Sequence, residues 1–279
     1  RIPMKLGDFE IASLFENTFK ADGGGMFGII PRVMWSKLVQ PDENNMITMN
    51  IRPLLIKTGV NNVLIDLGIG DCLSDKWKRI YGVGGESQLV NSLAEQDLKP
   101  EDIDTIIFSH LHADHALGGL RMNESGEVEK IFPNATCYAQ KIEIEDALNP
   151  NERTAATYIV DLLRHYGEIR AIEGDGKIID GVAVIRTGGH TAGHQAVFVQ
   201  SGDDSLVYPG DIIPTALHMR PPWVGAVDTF PLDSMRQKKA ILKECIENNR
   251  YMAFDHDFEY KIIKIMEKDD ELVTVPVEE

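Results

Sequence analysis

The chain has 279 residues, of which 43% are hydrophobic and 26% charged, and its net charge is −16. This composition is typical of a folded protein without low-complexity tracts. An acidic surface repels phosphate backbones, and no apolar run is long enough to span a bilayer, so we expect neither nucleic acid nor a membrane as a partner. The length fits a single domain over residues 1–279.

Cysteine usage indicates the cellular compartment. Cys72, Cys137 and Cys245 are far apart, and an odd count without a spacing pattern predicts no disulfide framework. The first residues also show no signal-peptide pattern. We therefore expect three reduced thiols and a cytoplasmic protein.

The first predicted segment is an irregular arm over residues 1–45. Its glycine-rich stretch Asp22–Gly28 needs unusual backbone freedom and exposes apolar side chains on a loop. Strands are predicted at Met46–Lys57 and Asn62–Leu67, with a turn between them. A helix over Ser87–Leu98 and a short buried strand over Asp104–Phe108 follow.

Strands and helices continue to alternate after the first 110 residues. Helices are predicted over Lys141–Leu148, Glu152–Tyr166 and Asp233–Asn249, the last with Asp233 or Ser234 as its N-cap. Predicted strands are Thr136–Gln140, Ile169–Ile172, Ile178–Ile179, Val182–Arg186, Ala196–Ser201, Ser205–Tyr208, Tyr251–Phe254 and Tyr260–Met266. This mixture, with many strands in hairpin-like succession, predicts an α+β fold of two packed sheets covered by helices.

Histidines are concentrated where a predicted strand ends. Three of the 8 histidines fall within His110-Leu111-His112-Ala113-Asp114-His115. Neutral imidazoles and carboxylates are the donors that zinc and similar divalent ions prefer, whereas packed imidazoles without a metal repel each other once protonated. Because four donors this close together do not all fit one tetrahedral ion, the segment predicts a site for two ions.

Further donors directly follow other predicted strands, where loops carry function on a rigid scaffold. They are His190 and His194 in the segment Gly188–His194, Asp211 after Gly210, and His256. On spacing alone, either His190 or His194 is a ligand.

Taken together, these motifs resemble the signature of the metallo-β-lactamase superfamily over nearly the whole chain. The resemblance implies an αββα sandwich of two mixed β-sheets flanked by helices, with two metal ions at one edge. It implies that His110, His112 and His194 hold the first ion, that Asp114, His115 and His256 hold the second, and that Asp211 bridges both. His190 would then bind no ion itself but lie behind a ligand and orient it. Zinc is the expected metal, with iron, manganese and cobalt as alternatives.

The implied chemistry is hydrolysis. Two cations about 3.5–4 Å apart lower the pKa of a bridging water toward roughly 7, and the resulting hydroxide attacks a carbonyl or phosphoryl centre. We expect Asp114, or the metal-bound water, to return a proton to the leaving group.

Within the superfamily, three stretches are most similar to the quorum-quenching lactonases that open N-acyl-homoserine lactones. Gly189–Gln195 resembles their GHTPGHQ motif with Ala192 in place of Pro, and Phe254–Asp257 resembles their terminal FxHD. Gly210–Thr215, followed by Trp223, and the arm over Asp22–Trp35 resemble the YtnP-like subgroup. The resemblance implies a homodimer with the arm both over the active site and at the subunit interface.

One position departs from the lactonase pattern. The family carries a substrate-contacting Tyr three residues after the bridging Asp, where this chain has Pro214. We expect His218 to orient the substrate instead, the alternative being a plain surface histidine. The expected walls of an apolar substrate groove are Met26, Phe27, Trp35, Met219 and Trp223.

Two other functions stay open at this point. A phosphotriester or aryl-ester hydrolase is one, because the methyl parathion hydrolase branch shares this metal site. The other is a non-catalytic metal-binding sensor, which is disfavoured because such proteins usually lose ligands and this chain has all seven.

Overall fold

The computed structural model describes residues 3–268 and 271–277. Its strands are β1 Met4–Leu6, β2 Phe9–Ser13, β3 Asn17–Asp22, β4 Met46–Ile51, β5 Leu54–Lys57, β6 Asn62–Ile65, β7 Thr105–Ile107, β8 Leu120–Met122, β9 Val128–Lys130, β10 Thr136–Gln140, β11 Arg170–Ile172, β12 Gly176–Ile179, β13 Val182–Arg186, β14 Gln195–Ser201, β15 Asp204–Tyr208, β16 Tyr251–Ala253, β17 Ile262–Lys268 and β18 Glu271–Pro276. Its α-helices are α1 Gly23–Phe27, α2 Arg32–Trp35, α3 Asp75–Ile80, α4 Leu89–Ala94, α5 Ala113–Ala116, α6 Lys141–Leu148, α7 Val160–Leu163 and α8 Pro231–Glu247.

Two seven-stranded mixed sheets contain most of these strands. The first has the order β1-β2-β5-β6-β7-β10-β11, antiparallel as far as β6 and parallel from β6 onward. The second has the order β12-β13-β14-β15-β16-β17-β18, in which only the pair β15–β16 is parallel. Strands β3–β4 and β8–β9 form separate two-stranded sheets.

Apolar side chains fill the space between the two large sheets. Ile11, Ile56 and Ile65 of the first sheet belong to the same buried cluster as Val197 and Leu206 of the second. Full burial of such a side chain contributes about 1.5–3 kcal/mol. The outer face of the second sheet packs on α8, and a third cluster joins the outer face of the first sheet to the other helices. The layers are therefore helix, sheet, sheet and helix, which confirms the predicted αββα sandwich.

The arm is more regular than predicted. Within residues 3–45 the chain forms β1, β2 and β3 as well as α1 and α2. The hairpin β1–β2 turns at Gly7, whose φ of +57° suits glycine, and extends the first sheet beyond β5. The expectation of an irregular segment was therefore wrong, because each of these strands is too short to produce a clear periodic pattern.

The predicted helix over Ser87–Leu98 is shortened to α4, and three other predicted elements differ from the structure for a local reason. The strand over Met46–Lys57 is divided at Pro53 into β4, which pairs with β3, and β5, which pairs with β2 and β6. Only α7 and a following 3₁₀ turn remain of the helix over Glu152–Tyr166, because the Asn151 side chain accepts the N–H groups of Arg153 and Thr154 and holds a turn.

The third is the beginning of the long helix α8. Its N-cap is Phe230, not Asp233 or Ser234, because Pro231 at the first position starts the helix two residues earlier. Among the described residues, none of the helices has the length and hydrophobicity required to cross a membrane.

Candidate metal centre

The donors predicted from sequence meet at one edge of the sandwich. His110 to His115 follow β7, His190 follows β13, Asp211 follows β15 and His256 follows β16. Since β15 and β16 are parallel, the loops after them leave the second sheet at the same edge. Every donor loop therefore begins at the carboxyl end of a strand.

Three imidazoles form the first donor group. His110, His112 and His190 each place a ring nitrogen within 4.8 Å of the other two, and all three are buried. The Nε2 of His190 lies 3.1 Å from the Nδ1 of His112. The Nε2 of His110 is buried and has no hydrogen-bond partner in the described part of the chain. We call these residues the first triad.

Two imidazoles and a carboxylate form the second triad, which consists of Asp114, His115 and His256. The Nε2 atoms of His115 and His256 are only 3.0 Å apart. An Asp114 oxygen lies 3.6 Å from the Nε2 of His256 and 3.9 Å from that of His115.

Asp211 lies between the two triads and faces both. Its Oδ2 is 3.3 Å from the Nε2 of His190 in the first triad. Its Oδ1 is 3.3 Å from the Nε2 of His115 and 3.4 Å from that of His256 in the second. One carboxylate therefore directs a different oxygen at each group, as a bridging ligand does.

The hydrogen bonds behind the triads decide which ring nitrogens are free. The Nδ1 of His256 donates to the carbonyl oxygen of Asn50 at 2.8 Å, and the Nδ1 groups of His115 and His190 face Asp66 and Asp228 at 2.9 Å each. Carbonyl and carboxylate oxygens accept but do not donate, so these Nδ1 atoms carry the protons and the Nε2 atoms present lone pairs.

Two Nε2 atoms 3.0 Å apart repel unless a proton or a metal ion lies between them, so this donor set fits a cation. The electrostatics agree. Burial lowers the pKa of His115, but the charges of Asp211, Asp114 and Asp66 outweigh it and raise that pKa well above its usual range. This surplus of negative charge favours a cation at the His115 Nε2, where a bound metal ion would take the place of the proton. Burial and the neighbouring imidazoles lower the pKa of His110 and His112 well below theirs, which keeps both rings neutral as metal ligation requires. The His and Asp clusters together fit two divalent ions.

His194 does not fit the role expected for it. Its Nδ1 is 2.6 Å from the Thr187 hydroxyl, and its Nε2 accepts the backbone N–H of Asp211 at 3.1 Å. Because both ring nitrogens have protein partners, no lone pair is left for an ion. His190 points into the first triad instead, so the geometry exchanges the roles expected for these two histidines.

The expected substrate residues divide into two sets. Phe27, Trp35 and His218 are buried and stack together, with ring centroids 5.1 Å apart from Phe27 to each of the others. Trp223 packs edge-on against Phe27. We call these four residues the arm cluster, and they join the arm to the loop after Asp211. Met26 and Trp223 line a small cleft beside Asp211 and Pro214.

His218 is neither a surface histidine nor a free donor. Its Nδ1 is 2.7 Å from the Thr215 hydroxyl, and its Nε2 donates to the carbonyl of Met26 at 2.9 Å. Burial lowers its pKa to about 4. The alternative of a plain surface histidine therefore disagrees with the structure. His218 lines the cleft beside Asp211, and its role toward the substrate stays a prediction.

Sequence reasoning missed several carboxylates behind the ligands. Asp66 accepts the N–H and the hydroxyl of Ser109 and the hydroxyl of Tyr208 besides facing His115. Asp255 places an oxygen 3.2 Å from the Nδ1 of His115, and Asp228 holds His190. Asp66 could have been found from the sequence, because it directly follows β6 in the way that the ligands follow their own strands.

Comparisons with known proteins agree with this geometry. The model of the metallo-beta-lactamase superfamily matches residues 53–249. N-acyl homoserine lactonase AiiA of Bacillus thuringiensis subsp. kurstaki is 27% identical over 218 residues, which are 74% of this chain and 80% of that protein. A probable metal-dependent hydrolase from Staphylococcus aureus is 34% identical, with a TM-score of 0.90 over 99% of both chains.

The fold is also that of AidC, a dizinc quorum-quenching lactonase whose structure holds the product N-hexanoyl-L-homoserine. The TM-score is 0.81 at 22% identity, over 99% of this chain and 97% of AidC. With a matching family model over most of its length and the donor geometry in place, the chain belongs to the metallo-β-lactamase superfamily and is a metal-dependent hydrolase.

Proposed function

We propose that this chain is a dinuclear hydrolase that opens the lactone ring of N-acyl-homoserine lactones. The observation that carries the proposal is a pair of buried donor triads that share one carboxylate, Asp211. The names of its relatives AiiA and AidC support the lactone as substrate class.

In this proposal the ligands are assigned by their free lone pairs. His110, His112 and His190 hold the first ion, Asp114, His115 and His256 hold the second, and Asp211 binds both. When bound there, two divalent ions, with zinc the expected metal, would supply a more acidic water and a Lewis acid for the substrate carbonyl. Most of these seven side chains are buried and hydrogen-bonded from behind, and this holds their donor atoms in place.

The carboxylates have a second role because they reach solvent. The side chains of Asp114 and Asp211 are 14% and 13% exposed, whereas those of His115 and His256 are at most 1% exposed. Substrate therefore meets this face of the centre. Asp114 can carry a proton on its carboxyl oxygen to the ring oxygen that leaves when the lactone opens.

Polar and apolar side chains both line the cleft, and the polar ones besides Asp211 are His190, His218 and Asp228. Met26, Trp223, Val224, Val227 and Pro214 line it beside Asp211. These side chains suit an acyl chain better than a charged group. Pro214 brings no hydroxyl to the substrate carbonyl, so carbonyl orientation rests on the metal centre.

The proposal is tested by comparing substrates on one metal-loaded preparation. Initial rates are measured with N-hexanoyl and N-decanoyl homoserine lactones and with paraoxon, and the ring-opened acid is identified by mass spectrometry. We expect the lactones to be turned over fastest. Much faster paraoxon turnover would establish the phosphotriesterase alternative. No turnover of any ester or lactone with two ions bound would indicate a sensor.

We also propose that the protein is a homodimer in which the arm takes part in the interface. Ile29, Val33, Met34 and Leu38 are large apolar side chains of the arm that are 87%, 70%, 52% and 50% exposed. Apolar patches of this kind commonly mark protein interfaces. Light scattering behind size exclusion should give twice the chain mass, and Ile29→Asp should shift it toward the monomer.

A further inference from the structure

Glu143 is a buried carboxylate that connects two ligand loops. It lies in the first turn of α6 and has no solvent exposure. Its Oε1 accepts the backbone N–H of Leu111 at 2.9 Å and the hydroxyl of Tyr158 at 2.8 Å. Its Oε2 accepts the hydroxyl of Thr191 at 2.6 Å.

Each of these partners is next to a proposed ligand of the first ion. Leu111 stands between His110 and His112, and Thr191 directly follows His190. The ring of Tyr158 packs against that of His112 with centroids 4.9 Å apart. One carboxylate thus contacts the immediate surroundings of the whole first triad.

The loop that carries His190 also packs closely on α6. A Cβ at Gly193 would lie 2.4 Å from the Cβ of Glu143 and 2.5 Å from its backbone nitrogen. Only glycine allows this approach, which brings the Thr191 hydroxyl within reach of the carboxylate. Helix α6, the loop that carries His110 and His112, and the loop that carries His190 are therefore held together at one point.

The second triad is supported by different groups. Asp66 and Asp255 face His115, and the carbonyl of Asn50 accepts from His256. These supports come from the loops after β6 and β16 and from β4, and not from α6. A change at Glu143 should therefore reach one triad and spare the other.

Burying a carboxylate is costly unless donors satisfy it, and an apolar side chain would pack beside this core at lower cost. Burial raises the pKa of Glu143, while its bonds from Thr191, Leu111 and Tyr158 oppose that rise. Packing alone does not explain an acid here, whereas the need to hold two loops at a set distance does.

We propose that Glu143 is a positioning residue that sets the separation between the loop of His110 and His112 and the loop of His190, and thereby controls the affinity of the first metal ion selectively. This inference rests on the proposed ligand assignment. It does not depend on which substrate the enzyme hydrolyses.

The test measures zinc affinity in two single-site backgrounds. In His256→Ala only the first triad is complete, and in His190→Ala only the second. Metal-free protein of each background, with and without Glu143→Gln, is titrated with Zn²⁺ against a chromophoric chelator. We expect Glu143→Gln to weaken zinc binding by about 10- to 100-fold in the first background and to leave it unchanged in the second.

Glu145→Gln is the matched control. Glu145 is exposed on the same helix, and its substitution removes the same charge. It should change neither affinity. Equal weakening in both backgrounds, or none in either, would overturn the proposal.

A gentler variant covers the case in which Glu143→Gln does not fold. Thr191→Val removes one of the three hydrogen bonds at nearly constant volume and should show a smaller loss with the same selectivity. If it weakens both sites equally, the proposal fails. A wild-type enzyme that binds two zinc ions but does not open lactones would refute the proposed function and leave this zinc comparison intact.

Discussion

The metal edge and the arm cluster both contain buried histidines, but the two regions use them differently. At the metal edge, the Nδ1 of each of His115, His190 and His256 is held from behind and the Nε2 faces its neighbours. In the arm cluster, both nitrogens of His218 are bonded to the protein, and the same holds for His194 beside the edge. Burial alone therefore does not identify a ligand. A ligand is distinguished by its second ring nitrogen, which faces the other donors and is not held by a backbone group or a hydroxyl.

The largest expected effect comes from removing the group that joins both triads. Asp211→Ala should lower turnover by at least about 10²-fold and reduce the metal content below two ions, because each triad loses an oxygen donor. Elemental analysis and initial rates measure both quantities. Asp203→Ala, at an exposed turn between β14 and β15, is the control. Two retained ions with near-normal turnover would contradict the role of Asp211.

The next test separates the two kinds of histidine directly. His190→Ala should bind one zinc ion, since the first triad loses a free lone pair. His194→Ala should still bind two and should instead lose stability, because the N–H of Asp211 is left without its acceptor at a cost of about 1–3 kcal/mol. Metal content and thermal unfolding of both variants check this. One ion in His194→Ala and two in His190→Ala would reverse the assignment.

A pH test examines the arm cluster alone. The pKa of His218 is about 4 in the folded chain and near 6.5 when unfolded, so below pH 6.5 the unfolded state takes up a proton that the folded state refuses. Its contribution to stability is thus lost as pH falls from 6.5 toward 4. Between pH 7.5 and 5 this amounts to about 2 kcal/mol.

Denaturant unfolding of metal-free protein at these two pH values measures that loss. Wild type should lose about 2 kcal/mol more than His218→Phe, which keeps a stacked ring but cannot titrate. Equal losses in the two proteins would show that His218 is not the buried neutral group described above.

The smallest expected effect concerns the carboxylate behind His190. Asp228→Asn keeps an oxygen acceptor for the Nδ1 proton but removes the charge, so we expect zinc affinity to fall by about tenfold. Chelator competition measures it, with Asp203→Asn in the exposed turn between β14 and β15 as control. An unchanged affinity would mean that the acceptor geometry, and not the charge of Asp228, supports this ligand.

Much of the fold could be predicted because the longer elements carry strong local patterns. Helix α6 and strands β10 and β13 have the predicted bounds, and the two-sheet sandwich is confirmed. The arm could not be predicted in this way, since β1 and β2 become strands only by pairing with each other and with β5. The shortened α7 depends on side-chain bonds of Asn151 that periodicity does not detect.

The HLHADH segment and the placement of acidic and imidazole groups after strand ends were readable from the chain alone, because donor type and close spacing are local properties. Tertiary structure decided which of those groups are free to bind. The partner of His190 is 38 residues away, that of His115 is 49 away and that of His256 is 206 away. In these three histidines a distant oxygen holds Nδ1 and leaves Nε2 facing the other donors, and no spacing along the chain records that contact.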